Sequence, residues 1–268
     1  MPTALVFDSG VGGLSVYREI RQLMPDLSTI YAFDNAGFPY GEKDESTIAQ
    51  RVVAMVEAIC QRHAIDIIVV ACNTASVVAL SALRERLSIP IVGVVPAVKP
   101  AAKLTRNGIV GLLATNVTVN RPYTHDLIAQ FAQDCRIELM GASRLVEMAE
   151  EKLHGHDVSL EELRMILSPW LNAAVPPDTV VLGCTHFPLL KEELAQVLPE
   201  GVVMIDSGAA IARRVKSLLD ENGAKWGEHS AGIAYCSRKG GDTEKLWPAL
   251  RQLGFESLHE QAIWPSFD

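Results

Sequence analysis

Short apolar runs dense in valine, isoleucine and leucine alternate along this chain with stretches of helical periodicity, and few folds accept that alternation. Residues 4–8, 29–34, 66–72 and 89–95 read as the first four strands. Residues 108–114, 137–141, 180–184 and 202–206 read as the next four, and 233–236 as an edge strand. A run that is apolar on both sides of the pleat belongs in a parallel sheet covered on both faces. Between the runs, residues 51–63, 76–87 and 211–219 carry apolar side chains at helical spacing, the first of these preceded by the polar Asp44, Glu45 and Ser46. The βαβα order predicts an α/β chain with right-handed crossovers.

At 268 residues the chain suits one large domain or two modest ones. Prolines and small residues interrupt the pattern over 96–100, and a second crossing falls at Asp206-Ser207-Gly208. The expected division is a discontinuous first domain, 1–96 plus 208–268, with a second domain, 97–207, inserted into it.

Composition removes several classes of function. Hydrophobic residues make up 49% and charged residues 21%, the balance of a packed globule. A formal net charge of −8 argues against nucleic acid as a partner, since phosphate neutralisation needs clustered Lys and Arg. The densest basic group, Arg213, Arg214 and Lys216, falls in a helical stretch and reads as a solvated face. No apolar run approaches the roughly 20 residues that span a bilayer, so no membrane is expected. The five cysteines are odd in number and include no CxxC pair, which leaves a zinc ribbon or a thioredoxin-type site without support. With a strand expected almost from Met1, in place of a signal peptide, the reading is of reduced thiols in the cytoplasm. His154-Gly155-His156-Asp157 lacks the helical spacing of a metal-binding pair and reads as a solvated loop, so no metal is expected. Gly10-Val11-Gly12-Gly13 follows the first strand but has neither the third glycine of a dinucleotide loop nor a Gly-Lys-Ser/Thr. It suits close backbone approach to a small anion, with Ser9 as a hydroxyl donor.

Chemistry concentrates in two phrases at matched positions, Ala71-Cys72-Asn73-Thr74 and Gly183-Cys184-Thr185-His186. Each ends an apolar run and precedes residues able to begin a helix. Ligands of open α/β sheets bind beyond the carboxyl ends of strands. Two thiols converging there could take a proton from one face of a carbon and return one to the other. Lowering a free thiol's pKa from about 8.5 to about 7 requires roughly 2 kcal/mol. A helix N-terminus typically supplies about 0.3–1 kcal/mol, so a second neighbour is needed. Asp8 and His186 are the candidates: Asp8 as a proton acceptor or an N-cap, His186 as a proton carrier or a core histidine. Phe38-Pro39-Tyr40-Gly41 is either an ordinary turn or a wall of the crevice. Ser9, Asn73, Thr74, Thr118 and Thr185 supply neutral donors, with no arginine at a strand end. On these residues alone, a cofactor-free racemase stands beside two rivals, a small-anion binder and a thiol-redox protein. Lys99 is the lysine that a pyridoxal cofactor would require.

Four segments carry a resemblance. Phe7-Asp8-Ser9-Gly10-Val11-Gly12-Gly13-Leu14, Phe38-Pro39-Tyr40-Gly41, Ala71-Cys72-Asn73-Thr74-Ala75 and Gly183-Cys184-Thr185-His186-Phe187-Pro188 closely resemble bacterial glutamate racemases, in order and at compatible spacing. Related aspartate racemases usually carry His in place of Ser76 and Glu in place of His186. The resemblance implies two doubly wound, flavodoxin-like α/β domains facing each other, with the active site at their interface. It implies no cofactor, Cys72 acting on D-glutamate and Cys184 on L-glutamate, with Asp8 and His186 assisting. Implied substrate contacts are Asp8, Ser9, Tyr40, Gly41, Asn73, Thr74, Thr118, Thr185 and His186. The family's auxiliary Glu falls at Glu150, although Ala142-Ser143-Arg144-Leu145-Val146-Glu147 departs from the commoner Cys-Pro-rich pattern. The implied role is supply of D-glutamate for peptidoglycan, by a monomer or homodimer. The chain looks like the enteric branch, some of whose members are activated by UDP-N-acetylmuramoyl-L-alanine. Responsive members can carry an N-terminal extension, which is not seen here.

Overall fold

The computed structural model describes residues 2–227 and 231–263. It divides into two compact units, Met1–Val94 with Gly208–Asp268, and Val95–Ser207.

The first unit runs β1 (Thr3–Asp8), α1 (Leu14–Leu23), β2 (Ser28–Phe33), α2 (Glu45–Cys60), β3 (Ile67–Val70), α3 (Asn73–Arg86) and β4 (Ile91–Gly93). The second comprises α4 (Val98–Leu104), β5 (Ile109–Ala114), α5 (Asn116–Asn120), α6 (Pro122–Phe131), β6 (Arg136–Gly141), α7 (Arg144–Leu153), α8 (Leu160–Leu171), β7 (Thr179–Leu182), α9 (Lys191–Val197) and β8 (Val203–Ile205). The chain then completes the first unit with α10 (Gly208–Glu221), β9 (Gly232–Cys236), α11 (Gly241–Gln252) and β10 (Phe255–Glu260).

All strand pairs are parallel. The six-stranded sheet has the order β10-β9-β2-β1-β3-β4, and the four-stranded sheet β6-β5-β7-β8. By order of appearance, both contain the pattern second-first-third-fourth. That is the doubly wound arrangement whose direction of winding reverses between the first and third strands, opening a crevice beyond their carboxyl ends. In the first unit the reversal lies between β1 and β3, and in the second between β5 and β7.

The all-apolar runs are where both faces are covered. β3 and β7 are buried at every residue, and Leu5, Phe7, Ile68 and Val70 share one core with Val52, Met55 and Val56 of α2. Asp44 caps α2 by accepting the Thr47 N–H at 2.8 Å. Ser76 ties two strand ends together: its hydroxyl donates to the Val70 carbonyl and accepts the Val94 N–H, both at 2.9 Å.

One expectation is corrected. Residues 233–236 are not an edge strand: β9 lies between β2 and β10, and β10 forms the edge. Phe255-Glu256-Ser257-Leu258-His259-Glu260 has too few apolar residues to announce a strand, because only part of an edge strand is covered. Its anchor is Phe255, 2% exposed, whose ring lies 4.7 Å from that of Tyr17 and 6.0 Å from that of Tyr31. Phe255→Ala is expected to cost about 3–5 kcal/mol through lost burial and an unfilled cavity, read as a lowered urea midpoint at unchanged slope.

Candidate active site

The first unit assembles its polar residues around the end of β1 and the start of α3. β3 stops at Val70, and Ala71 donates its N–H to the Phe7 carbonyl of β1 at 2.7 Å, carrying the chain across the reversal. Cys72 follows as the N-cap of α3, its sulfur 3.5 Å from the Ala75 N–H. The helix start thus offers this sulfur a donor, as its sequence position suggested. The Ser9 hydroxyl lies 3.5 Å from the same sulfur. Asp8 is fully buried at the end of β1, and its two carboxylate oxygens accept the N–H groups of Ser9 and Gly13, each at 2.7 Å. The glycine loop therefore wraps the carboxylate, and Asp8 sets where Ser9 meets Cys72. Asn73 and Thr74 form the first turn of α3, with Asn73 9% exposed.

Tyr40 opens a short 3-10 turn, Tyr40–Glu42, between β2 and α2. Its phenol is buried and donates to Asp34 at 2.7 Å. Burial, the Asp34 charge and a thiolate at Cys72 all hold its pKa well above the usual tyrosine value, so the phenol stays neutral. Gly41 follows it in the turn, half-buried.

The second unit repeats the strand-end device with different chemistry. Gly183 donates its N–H to the Leu113 carbonyl of β5 at 2.7 Å, the counterpart of Ala71 to Phe7. A Cβ at Gly183 would stand 3.0 Å from that carbonyl oxygen and from Leu112 Cδ1, so a side chain here would crowd the crossing. Cys184 comes next, two residues beyond β7 as Cys72 is beyond β3. The helix expected at once after Cys184 is delayed: a 3-10 turn, Phe187–Leu190, intervenes and α9 begins at Lys191. Pro188 in that turn has no N–H to donate. The neighbour supplied to this sulfur is instead His186, whose Nδ1 lies 3.8 Å away, while Nε2 stands 2.8 Å from Glu150 Oε1. Burial disfavours the imidazolium, but hydrogen bonds to Cys184 and Glu150 outweigh it and hold the ring's pKa well above its ordinary value. A thiol, an imidazole and a carboxylate thus form a chain along which a proton can pass. Thr185 is buried beside Cys184. Thr118, also buried, follows β5 at the start of α5, its hydroxyl 2.8 Å from that of Thr115.

The other cysteines are placed differently. Burial and then the Glu260 charge push the Cys236 thiol up to about 11. Burial followed by Glu57 raises Cys60. Cys135 donates to the Ala102 carbonyl at 3.6 Å. Lys99 sits over the Phe131 ring, 5.0 Å from its centroid. Arg214 and Lys216 pair with Glu221 and Asp220 of their own helix. Among the described residues, no group of three or more His, Cys, Asp or Glu could hold a metal ion, and no helix is long and apolar enough to cross a membrane.

Sequence reasoning missed Asp34 and Arg51. Arg51 reaches from α2 to Asp34 at the end of β2, with Nε–Oδ2 at 2.6 Å and Nη2–Oδ1 at 2.7 Å. An arginine does therefore stand at a strand end. Its signal was a second aspartate closing a strand, as Asp8 does.

Buried thiols with proton-handling neighbours, set at the reversal points of doubly wound sheets, are the equipment of an enzyme. The Asp/Glu/Hydantoin racemase family model matches residues 8–215. The chain is 62% identical over 262 residues to a glutamate racemase of Salmonella paratyphi A, covering 98% of this chain and 93% of the relative. Its fold matches a crystal structure of Escherichia coli glutamate racemase in complex with L-glutamate and the activator UDP-MurNAc-Ala. The TM-score is 0.95 at 61% identity, over 98% of this chain and 99% of that one. It also matches a glutamate racemase of Bacillus anthracis at TM-score 0.80 and 29% identity, over 97% and 96% of the two chains. The chain belongs to the Asp/Glu/hydantoin racemase family and is an isomerase.

The His186–Glu150 contact yields a prediction with a definite sign. Because His186 titrates higher when folded, its contribution to stability is full below the unfolded value of about 6.5 and disappears as pH rises through the folded pKa. Glu150→Gln removes a charge that favours the imidazolium. The His186 ring resonances are expected to titrate at lower pH in that variant, and the fall in stability across that window to shrink. Unchanged titration would deny Glu150 its influence on the ring.

Proposed function

We propose that the protein interconverts L- and D-glutamate by a cofactor-independent, two-thiol acid/base mechanism, and so supplies D-glutamate for peptidoglycan in the cytoplasm. Cys72 is the acid/base residue on the D side and Cys184 on the L side. One sulfur, as thiolate, takes the α-proton and becomes a thiol. The electron pair stays on the α-carbon, and the other thiol then donates its proton to the opposite face and is left as thiolate. Charge and protons balance: the enzyme is left in the reverse protonation state, which accepts the product enantiomer, and proton exchange with solvent resets the thiols for another molecule of the first.

The main support for this reading is the duplication of the strand-end device in a chain 62% identical to a glutamate racemase. Each thiol stands two residues past a buried parallel strand and has its own hydrogen-bonding neighbours. Asp8 and His186 act as helpers, Asp8 as proton acceptor for Cys72 and His186 for Cys184, with Glu150 supporting the imidazole. Ser9, Tyr40, Gly41, Asn73, Thr74, Thr118 and Thr185 hold the substrate through neutral donors, which stabilise the negative charge that develops next to the α-carboxylate. Exclusion of water keeps the thiolate reactive and keeps solvent from competing as proton source. We also propose activation by UDP-N-acetylmuramoyl-L-alanine, since the Escherichia coli relative is described with that activator.

Cys72→Ala and Cys184→Ala are each expected to lower racemisation by about 10²–10⁴-fold with the circular dichroism spectrum unchanged. In deuterated water, the wild-type enzyme is expected to invert each enantiomer with deuterium incorporated at the α-carbon. Appreciable turnover in either variant, or binding without α-exchange, would overturn the mechanism. Adding the muramoyl precursor is expected to raise the rate, and an unchanged rate removes the activation claim alone.

A further inference from the structure

The buried ion pair at the end of β2 lies outside the set of residues assigned above. Asp34 is fully buried, and the Arg51 side chain is 12% exposed. Their contact is two-pronged, the geometry in which guanidinium and carboxylate bind most strongly and with fixed orientation. Charges of this kind are costly to bury, and a fold that retains them often does so for placement rather than stability.

What the pair holds is the turn containing Tyr40 and Gly41. Asp34 accepts the Tyr40 phenol at 2.7 Å on the oxygen that also receives Arg51 Nε. The Gly37 N–H donates to the Asp34 carbonyl at 3.0 Å, with the side-chain Oδ1 at 3.3 Å. A Cβ at Gly37 would fall 2.5 Å from Asp34 Oδ2 and also strike Arg51 Nε, so the turn closes over the pair only because residue 37 has no side chain. Tyr40 and Cys72 belong to one buried cluster, and a thiolate at Cys72 is felt at the phenol. Hydrogen bonds from Arg51, Ser237 and Tyr40 overcome burial and keep Asp34 ionised. Without Arg51, a bare carboxylate would bear on the thiolate through Tyr40.

We propose that the Asp34–Arg51 ion pair is a positioning unit for the Cys72 half of the reaction, fixing the Tyr40-Gly41 turn while adding no net charge of its own near the thiol. This rests on the reading of Cys72 as an acid/base residue of glutamate racemisation. Arg51 and Asp34 act through Tyr40 and need not touch substrate.

The test uses isotope effects, because enantiomers have equal free energy and kcat/KM must fall equally in both directions. Arg51→Gln is expected to slow racemisation by about 10²-fold, as for a small misplacement of a reacting group. If the slowed step is proton transfer at Cys72, the primary effect from α-deuterated D-glutamate grows and that from α-deuterated L-glutamate shrinks. The double variant Asp34→Asn/Arg51→Gln, which removes both charges, is expected to recover part of the rate. Arg51→Lys keeps the charge but loses the fork. It is expected to give the same asymmetry more weakly, and provides the readout if Arg51→Gln does not fold. Isotope effects that move together or stay fixed, or a double variant no faster than Arg51→Gln, would overturn the proposal. Absence of racemisation in the wild-type enzyme would instead overturn the functional reading beneath it.

Discussion

A parallel strand covered by helices on both faces has no free side on which to display a reactive group, so its chemistry moves to its carboxyl end. In both units the chain leaves a fully buried strand, crosses to the neighbouring strand with one backbone hydrogen bond, and presents a sulfur at the next residue. Ala71 donates to Phe7 before Cys72, and Gly183 donates to Leu113 before Cys184, each at 2.7 Å. That bond fixes the direction in which the chain departs, and with it the position of the thiol. Asp8, Asp34 and Thr118 also sit at or just past strand ends, for the same reason.

Beyond the shared backbone device, the surroundings of the two sulfurs differ. At Cys72 the neighbours are a helix-end N–H and a hydroxyl, supported by an aspartate whose oxygens each accept one N–H of the glycine loop. At Cys184 the neighbour is an imidazole backed by a carboxylate. The difference traces to local sequence. Asn73-Thr74-Ala75 can start a helix directly, whereas Phe187-Pro188 interposes a 3-10 turn and leaves His186 beside the sulfur.

The sheet strands of the doubly wound core were legible in sequence because burial on both faces leaves uninterrupted apolar runs such as Ile67–Val70 and residues 180–182. Their ends shifted by one or two residues, since Cys72 and Cys184 belong to the loops that follow. β10 was not legible: an edge strand anchored mainly by Phe255 carries too few apolar residues to stand out. Among the polar groups, the contact of His186 with Cys184 was legible from chain proximity, whereas that of Ser9 with Cys72 was not, because the sequence pointed to Asp8 as the neighbour of that thiol. Arg51 was not legible either, because its partner is 17 residues earlier and the encounter depends on how α2 lies along the sheet. Local patterns reveal which residues end a strand. They do not reveal which helix side chain comes to meet them.

Under the two-thiol mechanism proposed above, the unlike halves suit a reaction whose two ends are equal in energy. For interconverting enantiomers the equilibrium constant is one, so kcat/KM is the same in both directions whatever the residues on either side. Nothing in that balance requires the two thiols to be served by the same partners. Each half need only make its thiolate accessible and return it to the thiol once per turnover. A helix end with a hydroxyl can do this on one side while an imidazole–carboxylate chain does it on the other. The slower transfer then limits the rate for both substrates. Improving one half beyond the other gains little, so the pressure falls on matching the two barriers rather than on copying one set of residues. A buried ion pair that positions a single turn beside Cys72 can, on this argument, set the pace of catalysis in both directions.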